Sequence, residues 1–337
     1  MNFATRLLAK LSGLDAEQIA PAALRDEAAP QPAAIMARKA EAANYLWRNN
    51  TPLVWLSKKD PLTIAHAFAG IHVFGSNGSG KTSGSRTLAK AFLKAGWGGC
   101  VLAAKPDDRA LWQQMARETG REGQLVILSP DQPWRFNFIA YDLARGERLT
   151  DRVENVMSTF KDVLAQAGSI YGGEARAWIA AAEALLKRAV TILAARGGAF
   201  TVADIADFIA HAPQTIGETK TDEFQASIFL ATITAVREAS KGQEAEAEVE
   251  RASTYWLRDY PRLPSQTRES TRFTLDYLLT DLESGTVPEL FGRRCNIVPE
   301  DSHEGAILFI DLPTSVSRSN VIAQMEIGRA SCRERVS

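Results

Sequence analysis

Cysteine is almost missing from this chain. Cys100, Cys295 and Cys332 are the only three in 337 residues, with neither metal-ligand spacing nor the density of a disulfide framework. That excludes a thiolate metal site and a stapled secreted domain, and a reducing compartment is expected. Net charge is equally scarce. Thirty-nine basic and 40 acidic side chains leave a formal charge of -1, so no global field draws the chain to nucleic acid or membrane, and only a local patch is left for that purpose. Long apolar runs are absent too. No window approaches the roughly 18–20 residues of a membrane helix, and the cationic start is not followed by a signal-peptide core. No internal repeat is found. These absences predict a cytoplasmic protein without a transmembrane segment of its own.

What is present suits a soluble globular fold: 45% hydrophobic and 23% charged residues, on a chain long enough for one large domain or two ordinary ones. Residues 1–50 read as an N-terminal helical and linker segment, two short Ala-rich helices interrupted at Pro30 and Pro32. Residues 51–147 read as the first part of a nucleotide-binding domain. Pro52–Leu56 is a short strand candidate. A second apolar run, Gly70–Phe74, leads straight into a glycine-rich loop. Leu88, Ala89, Phe92 and Leu93 then recur at helical spacing, with Gly96 where a helix C-cap belongs. Cys100–Ala104, a helix through Leu111, Met115 and Ala116, and Leu125–Leu128 complete a strand–loop–helix–strand–helix–strand order. The strands are continuous apolar runs, as expected when helices cover both faces of a parallel sheet. From 148 to 292 the pattern turns helical, with long stretches over 175–195 and 224–239, and predicts an inserted all-helical domain. Glu244–Glu250 within it reads as a solvated helix face. Residues 293–325 return to the sheet through Gly305–Asp311.

The loop Gly75-Ser76-Asn77-Gly78-Ser79-Gly80-Lys81-Thr82 meets the pattern G-x-x-x-x-G-K-[ST] in full. Each place has a physical reason. Gly75, Gly78 and Gly80 admit backbone angles and close approaches that a side chain forbids. Successive N–H groups, from Ser76 through Ser83, then point at phosphate oxygens, reinforced by the positive end of the following helix. Lys81 supplies a compact charge to the β and γ phosphates, and the Thr82 hydroxyl is the expected Mg²⁺ ligand. With Gly at about 7% of residues, the bare pattern arises by chance in about one chain per hundred of this length. The expected cofactors are ATP and Mg²⁺.

The loop wording resembles that of ABC-type ATPases, but no LSGGQ-like signature follows it, since Leu11-Ser12-Gly13 lies before the loop. A broader resemblance is to the coupling ATPases of conjugation and type IV secretion, the TraG/TrwB-like proteins. Besides the loop it rests on Val101–Asp107, similar to the family's "hhhDPKgE" segment with Ala at the first Asp position and Lys105 retained. It rests also on Leu128-Ser129-Pro130 with Arg135-Phe136-Asn137, similar to "dP…rfNPl". Further matches are the helical insertion with Glu174–Trp178, and Thr267–Arg272, so that about 52–325 is covered. The resemblance implies a RecA-like P-loop parallel sheet, an ATP-driven hexameric ring around DNA, secretion-system and relaxosome proteins as partners, and a place at the inner membrane reached through those partners. FtsK- or HerA-like translocases and a non-hydrolysing nucleotide-binding adaptor remain as alternatives.

Several single residues stay open between a function and a bland role. Lys105 ends a strand at the carboxyl edge, where ligands bind in such folds, and is otherwise a solvated surface lysine. Arg268 and Arg272 lie four apart, on one face if helical, and are read as surface residues unless one acts across a subunit interface. His66 and His72 read as structural; Trp112, Trp134 and Trp178 as core or interdomain packing, with base stacking as the functional alternative. Asp311 ends a strand as a Walker B carboxylate does, yet Leu312-Pro313-Thr314 follows with no Glu. The family places a similar "hhhhDlP" strand one element before its Walker B strand, followed by a helix containing Gln, as Gln324 here. Residues 326–337 resemble the translated sequence of a common sequencing adapter and read as a non-native tail, which implies a natural protein continuing past Met325 with its catalytic carboxylate and remaining strands there. The sheet is therefore expected to be incomplete at its C-terminal side.

Overall fold

The computed structural model of this chain describes residues 49–76, 78–171 and 175–313. The expected N-terminal helices, Asn77, Glu174, Gln324 and the tail from 326 lie outside them. The described chain is mixed α/β and mostly helical, and it divides into two compact units. One comprises 49–134 with 297–313, the other 135–296.

In the α/β unit, β1 (Pro52–Trp55) and β2 (Pro61–Thr63) form an antiparallel hairpin of their own. Thr63 then caps α1 (Ile64–Phe68), and its N–H donates to His66 Nδ1 at 3.2 Å, which gives His66 its structural role. After the loop comes α2 (Lys81–Lys94), closed by Gly96 at φ +86°, the left-handed conformation that favours glycine. β3 (Gly99–Leu102), α3 (Asp108–Glu118), β4 (Leu125–Leu128) and β5 (Ile307–Ile310) follow. These three strands form one parallel sheet in the order β3-β5-β4. β5 is buried along its whole length. Leu93, Met115 and Ile307 form a core with Ala89, Val101, Leu111 and Trp112, whose ring lies 6.4 Å from that of Phe309.

The structure corrects one expected strand. Gly70–Phe74 makes no ladder, and among the described residues no backbone hydrogen bond is formed by 71–74. Apolar β-branched residues make a strand only where a neighbour's N–H and C=O are free. An edge is open here, since among the described residues β3 and β4 each pair only with β5 in the order β3-β5-β4, so an occupied sheet does not account for the missing ladder. The segment lies beside α2 and β3. Ile71 and Val73 line an apolar cavity of about 330 Å³ with Leu88, Phe92 and Trp97. His72 and Phe74 stack on each other at 6.0 Å, with Phe74 87% exposed.

The second unit is built of helices alone among its described residues. α4 (Phe138–Ala144) is followed by α5 (Leu149–Tyr171), α6 (Ala175–Arg196), α7 (Val202–Ala210), α8 (Asp222–Gln225) and α9 (Ile228–Ser240). α10 (Glu246–Thr254), α11 (Ser265–Glu283) and α12 (Val287–Leu290) complete it. The helix expected over 224–239 is broken at Ser227, whose hydroxyl caps α9 by accepting from Leu230 N–H. Phe208, Phe229 and Trp256 form the aromatic centre, with ring separations of 4.6 and 5.3 Å about Phe208. Its two ends are tied together: Arg135 N–H donates to Asn296 Oδ1 at 2.7 Å, and Asn296 N–H to Arg135 C=O at 3.0 Å.

Candidate functional site

Gly78 and Gly80 both lie at positive φ, +79° and +83°, so the loop reaches α2 through two turns that only glycine makes without strain. Gly75 is needed for space: a Cβ there would collide with the Ser79 hydroxyl and come within 3.2 Å of Lys81 Cγ. Ser79 N–H donates to Ser76 C=O at 3.2 Å, folding the loop on itself. α2 starts at Lys81 behind the cap Gly80, which has no side chain, and no acidic residue stands in its first turn. Its leading N–H groups are therefore left to a ligand, where the helix dipole favours an anion.

Lys81 reaches back over the loop. Its Nζ donates to Gly75 C=O at 2.5 Å and Ser76 C=O at 2.6 Å. Among the described residues no carboxylate pairs with it, so its charge is held by dipoles alone. Thr82 and Ser83 are exposed at the same helix end. The loop thus brings together Gly75, Ser76, Gly78, Ser79, Gly80, Lys81, Thr82 and Ser83, while Asn77 lies outside the described residues. A glycine turn, an uncapped helix and an unpaired lysine are a donor set suited to the phosphates of a nucleotide, with Thr82 as the hydroxyl for its Mg²⁺.

The carboxyl edge of the sheet holds a second polar group. Arg109, in the first turn of α3, grips Asp131 beyond β4 with both terminal nitrogens, at 3.0 and 2.7 Å, and reaches Asp311 beyond β5 at 3.2 Å. Ser129 donates to Asp131 as well. The Arg109 guanidinium and the Ser129 hydroxyl hold the Asp131 carboxyl far below the usual carboxylate range. Burial pushes Asp311 up, against the opposing pull of Arg109. Among the described residues the side-chain partner of Asp311 is Arg109, with no hydrogen bond to the loop. Neither Arg109 nor Asp131 stands out in the sequence, because residues separated by 22 and 202 positions meet only once the strands are in register.

The remaining candidates fall on both sides. Lys105 is exposed, and its N–H and that of Ala104 donate to Asp108 Oδ2 at 2.9 Å each, so Asp108 shapes the turn after β3. Trp112 packs in the core, while Trp134 is half-buried. Trp178 departs from its packing assignment: it is 40% exposed beside exposed Phe273. Arg268 departs in the other direction. It is 8% exposed, donates to Gln214 Oε1 at 3.3 Å and to Leu263 C=O, and its guanidinium lies 6.0 Å from the Tyr260 ring, an internal cation rather than a surface one. Arg272 pairs with Asp276 at 3.7 Å one turn later. Asn137, taken from sequence only as part of a motif, is buried, caps α4 through Ala140 N–H at 2.9 Å and donates to Phe200 C=O at 3.2 Å. Among the described residues no helix is long and apolar enough to cross a membrane. Comparison with known proteins finds no matching family, no matching curated protein and no matching solved structure.

Proposed function

We propose that this chain binds Mg·ATP through Gly75–Thr82 and is the nucleotide-binding part of a DNA-translocating motor of the TraG/TrwB-like coupling type. In that reading the sheet belongs to a RecA-like architecture, the working form is a homo-oligomeric ring, and relaxosome and secretion-system proteins are its partners. The observation that carries the nucleotide assignment is Lys81, which among the described residues has no carboxylate partner and spans the loop carbonyls at the head of an uncapped helix. Phosphate oxygens are better partners for an ammonium than neutral carbonyls, and hydrogen bonds to charged groups are the strong ones. Mg²⁺, held by the Thr82 hydroxyl, supplies charge neutralisation for the β and γ oxygens. The test is titration calorimetry with Mg·ATP. Losing hydrogen bonds to a charged group costs roughly 1.5–3 kcal/mol, so Lys81→Ala weakens binding about 10- to 150-fold. Equal affinity of wild type and variant rejects the assignment.

A second reading, a nucleotide-binding module that does not hydrolyse, draws on Asp311. That carboxylate is engaged by Arg109 and followed by Leu312 and Pro313, with no glutamate to orient a water. Hydrolysis needs a completed metal shell and a positioned nucleophile. The expected outcome of a steady-state phosphate-release assay on this chain is no turnover above background. Turnover of about 1 s⁻¹ or faster that vanishes in Lys81→Ala would instead make Asp311 the metal-shell carboxylate.

A further inference from the structure

The hairpin of β1 and β2 ends in a tip that the phosphate loop does not use. Trp55 is 59% exposed and Leu56 67%, and Ser57, Lys58, Lys59 and Asp60 after them are exposed as well. The tip is stitched to itself. Leu56 N–H donates to Asp60 C=O at 3.0 Å, and the Ser57 hydroxyl donates to the Asp60 carboxylate at 2.5 Å. The same hydroxyl accepts from the N–H groups of Lys59 and Asp60 at 3.1 and 3.2 Å. The tip's one carboxylate is thereby engaged within the turn, whereas among the described residues neither lysine has a carboxylate partner. An aromatic, an aliphatic and two lysines are thus held together on one short, exposed turn.

Shape and chemistry select the partner. Six residues at a hairpin tip are well below the roughly 20–30 residues a side of a specific protein interface. A bilayer surface asks for no matching contour. Trp settles at the headgroup level, where its ring is half in hydrocarbon and half hydrated. Lysine stems reach apolar surface while their ammonium groups stay with anionic headgroups. We propose that the Trp55–Lys59 tip is an interfacial contact for an anionic lipid bilayer, with Trp55 and Leu56 entering the headgroup region and Lys58 and Lys59 on the lipid phosphates. One such tip gives weak, reversible and salt-sensitive attachment.

The experiment is co-sedimentation of the full chain with vesicles of phosphatidylcholine alone and of phosphatidylcholine mixed with phosphatidylglycerol. Binding is expected for the mixed vesicles only, falling as salt rises. Each lysine near an anionic surface is worth about 1 kcal/mol, or about five-fold, so Lys58→Gln/Lys59→Gln lowers the partition coefficient about 25-fold. Lys58→Arg/Lys59→Arg retains it. Trp55→Ser/Leu56→Ser loses binding at unchanged charge. Brominated phosphatidylcholine in the mixed vesicles quenches part of the tryptophan fluorescence, and that part is missing in Trp55→Phe. These positions are exposed, so circular dichroism and Mg·ATP affinity stay at wild-type values, which separates failure here from failure of the nucleotide reading. Absence of vesicle binding overturns the proposal. So does equal binding to phosphatidylcholine alone, or binding unchanged in either Lys58→Gln/Lys59→Gln or Trp55→Ser/Leu56→Ser. Tip variants that lose an acidic protein partner while vesicle binding is absent assign the surface to that partner instead.

Discussion

Lys81 and Arg109 are both cations near the ligand edge of an α/β unit, and their partners give them opposite roles. Lys81 rests on two neutral carbonyls and is available to an anion. Arg109 is consumed by two carboxylates and serves them. Its debt is mainly to Asp311, which is partly buried and has its pKa raised by that burial, while Asp131 stands in solvent where ion pairs are screened. Arg109→Leu is therefore expected to cost about 1–2 kcal/mol of stability at pH 7. The sign of its pH dependence follows from Asp311. A carboxyl raised in the folded state destabilises the fold while ionised, and that loss shrinks as pH falls through the folded pKa. Removing Arg109 raises Asp311 further, so the deficit of the variant is largest near neutrality and narrows toward pH 4. Asp131 adds to the same trend: its lowered pKa gives the wild type stability above the ordinary carboxylate range that is lost on further acidification, and Arg109→Leu already lacks that contribution. Urea unfolding of wild type and variant across pH 4–8 reads the difference directly. A deficit that grows on acidification refutes the Asp311 account.

At the scale of elements, α2 is free at one end and clamped at the other. Its N-terminus carries the loop. At its C-terminus the buried guanidinium of Arg121 donates to Leu93 C=O at 2.6 Å, Trp97 C=O at 3.3 Å and Gly305 C=O at 2.8 Å, tying the helix end to the chain entering β5. Gly98 lies in the same turn, where a Cβ would collide with Ser302 C=O and come within 2.7 Å of Ala306 C=O and Gly305 Cα. All three are backbone atoms that cannot move aside. Gly98→Ala is expected to destabilise by about 1–3 kcal/mol through overpacking, and Arg121→Met by about 3 kcal/mol through orphaned carbonyls. Thermal unfolding monitored by circular dichroism measures both, and a Gly98→Ala protein as stable as wild type rejects the clamp. Helix α2, its glycine stop and the loop were legible in the sequence because their signals are local: apolar spacing, an αL glycine and the glycine-rich motif with its lysine. The strand before the loop was not. Ile71, Val73 and Phe74 have strand character, but a strand also needs a hydrogen-bonded partner in register, and apolar side chains alone do not specify one. Arg268 and Trp178 failed for a related reason, since burial depends on which helix packs against each face.

On the scale of the whole molecule, the all-helical stretch was legible as a change of periodicity, but the tie that closes it was not. Arg135 and Asn296 are separated by 161 positions and exchange two hydrogen bonds, so the chain enters and leaves the helical unit at adjacent points. Its aromatic centre of Phe208, Phe229 and Trp256 is drawn wholly from within 135–296. A unit with its own core and neighbouring ends has the properties of an autonomous insertion. The fragment 135–296 is therefore expected to fold alone, with a helical circular-dichroism spectrum and one cooperative thermal transition. The complementary deletion follows from the same adjacency. β4 and β5 pair directly in parallel, and closing a gap between neighbouring ends with a short flexible linker costs little chain entropy. Replacing 135–296 by such a linker should leave Mg·ATP affinity within a few-fold of the parent, while capture of protein partners from extract is lost. Retained capture by the deleted protein would move partner recognition to the α/β unit. A fragment 135–296 that stays unfolded would show that the helices depend on the rest of the chain, and that the Arg135–Asn296 tie closes a loop instead of a domain.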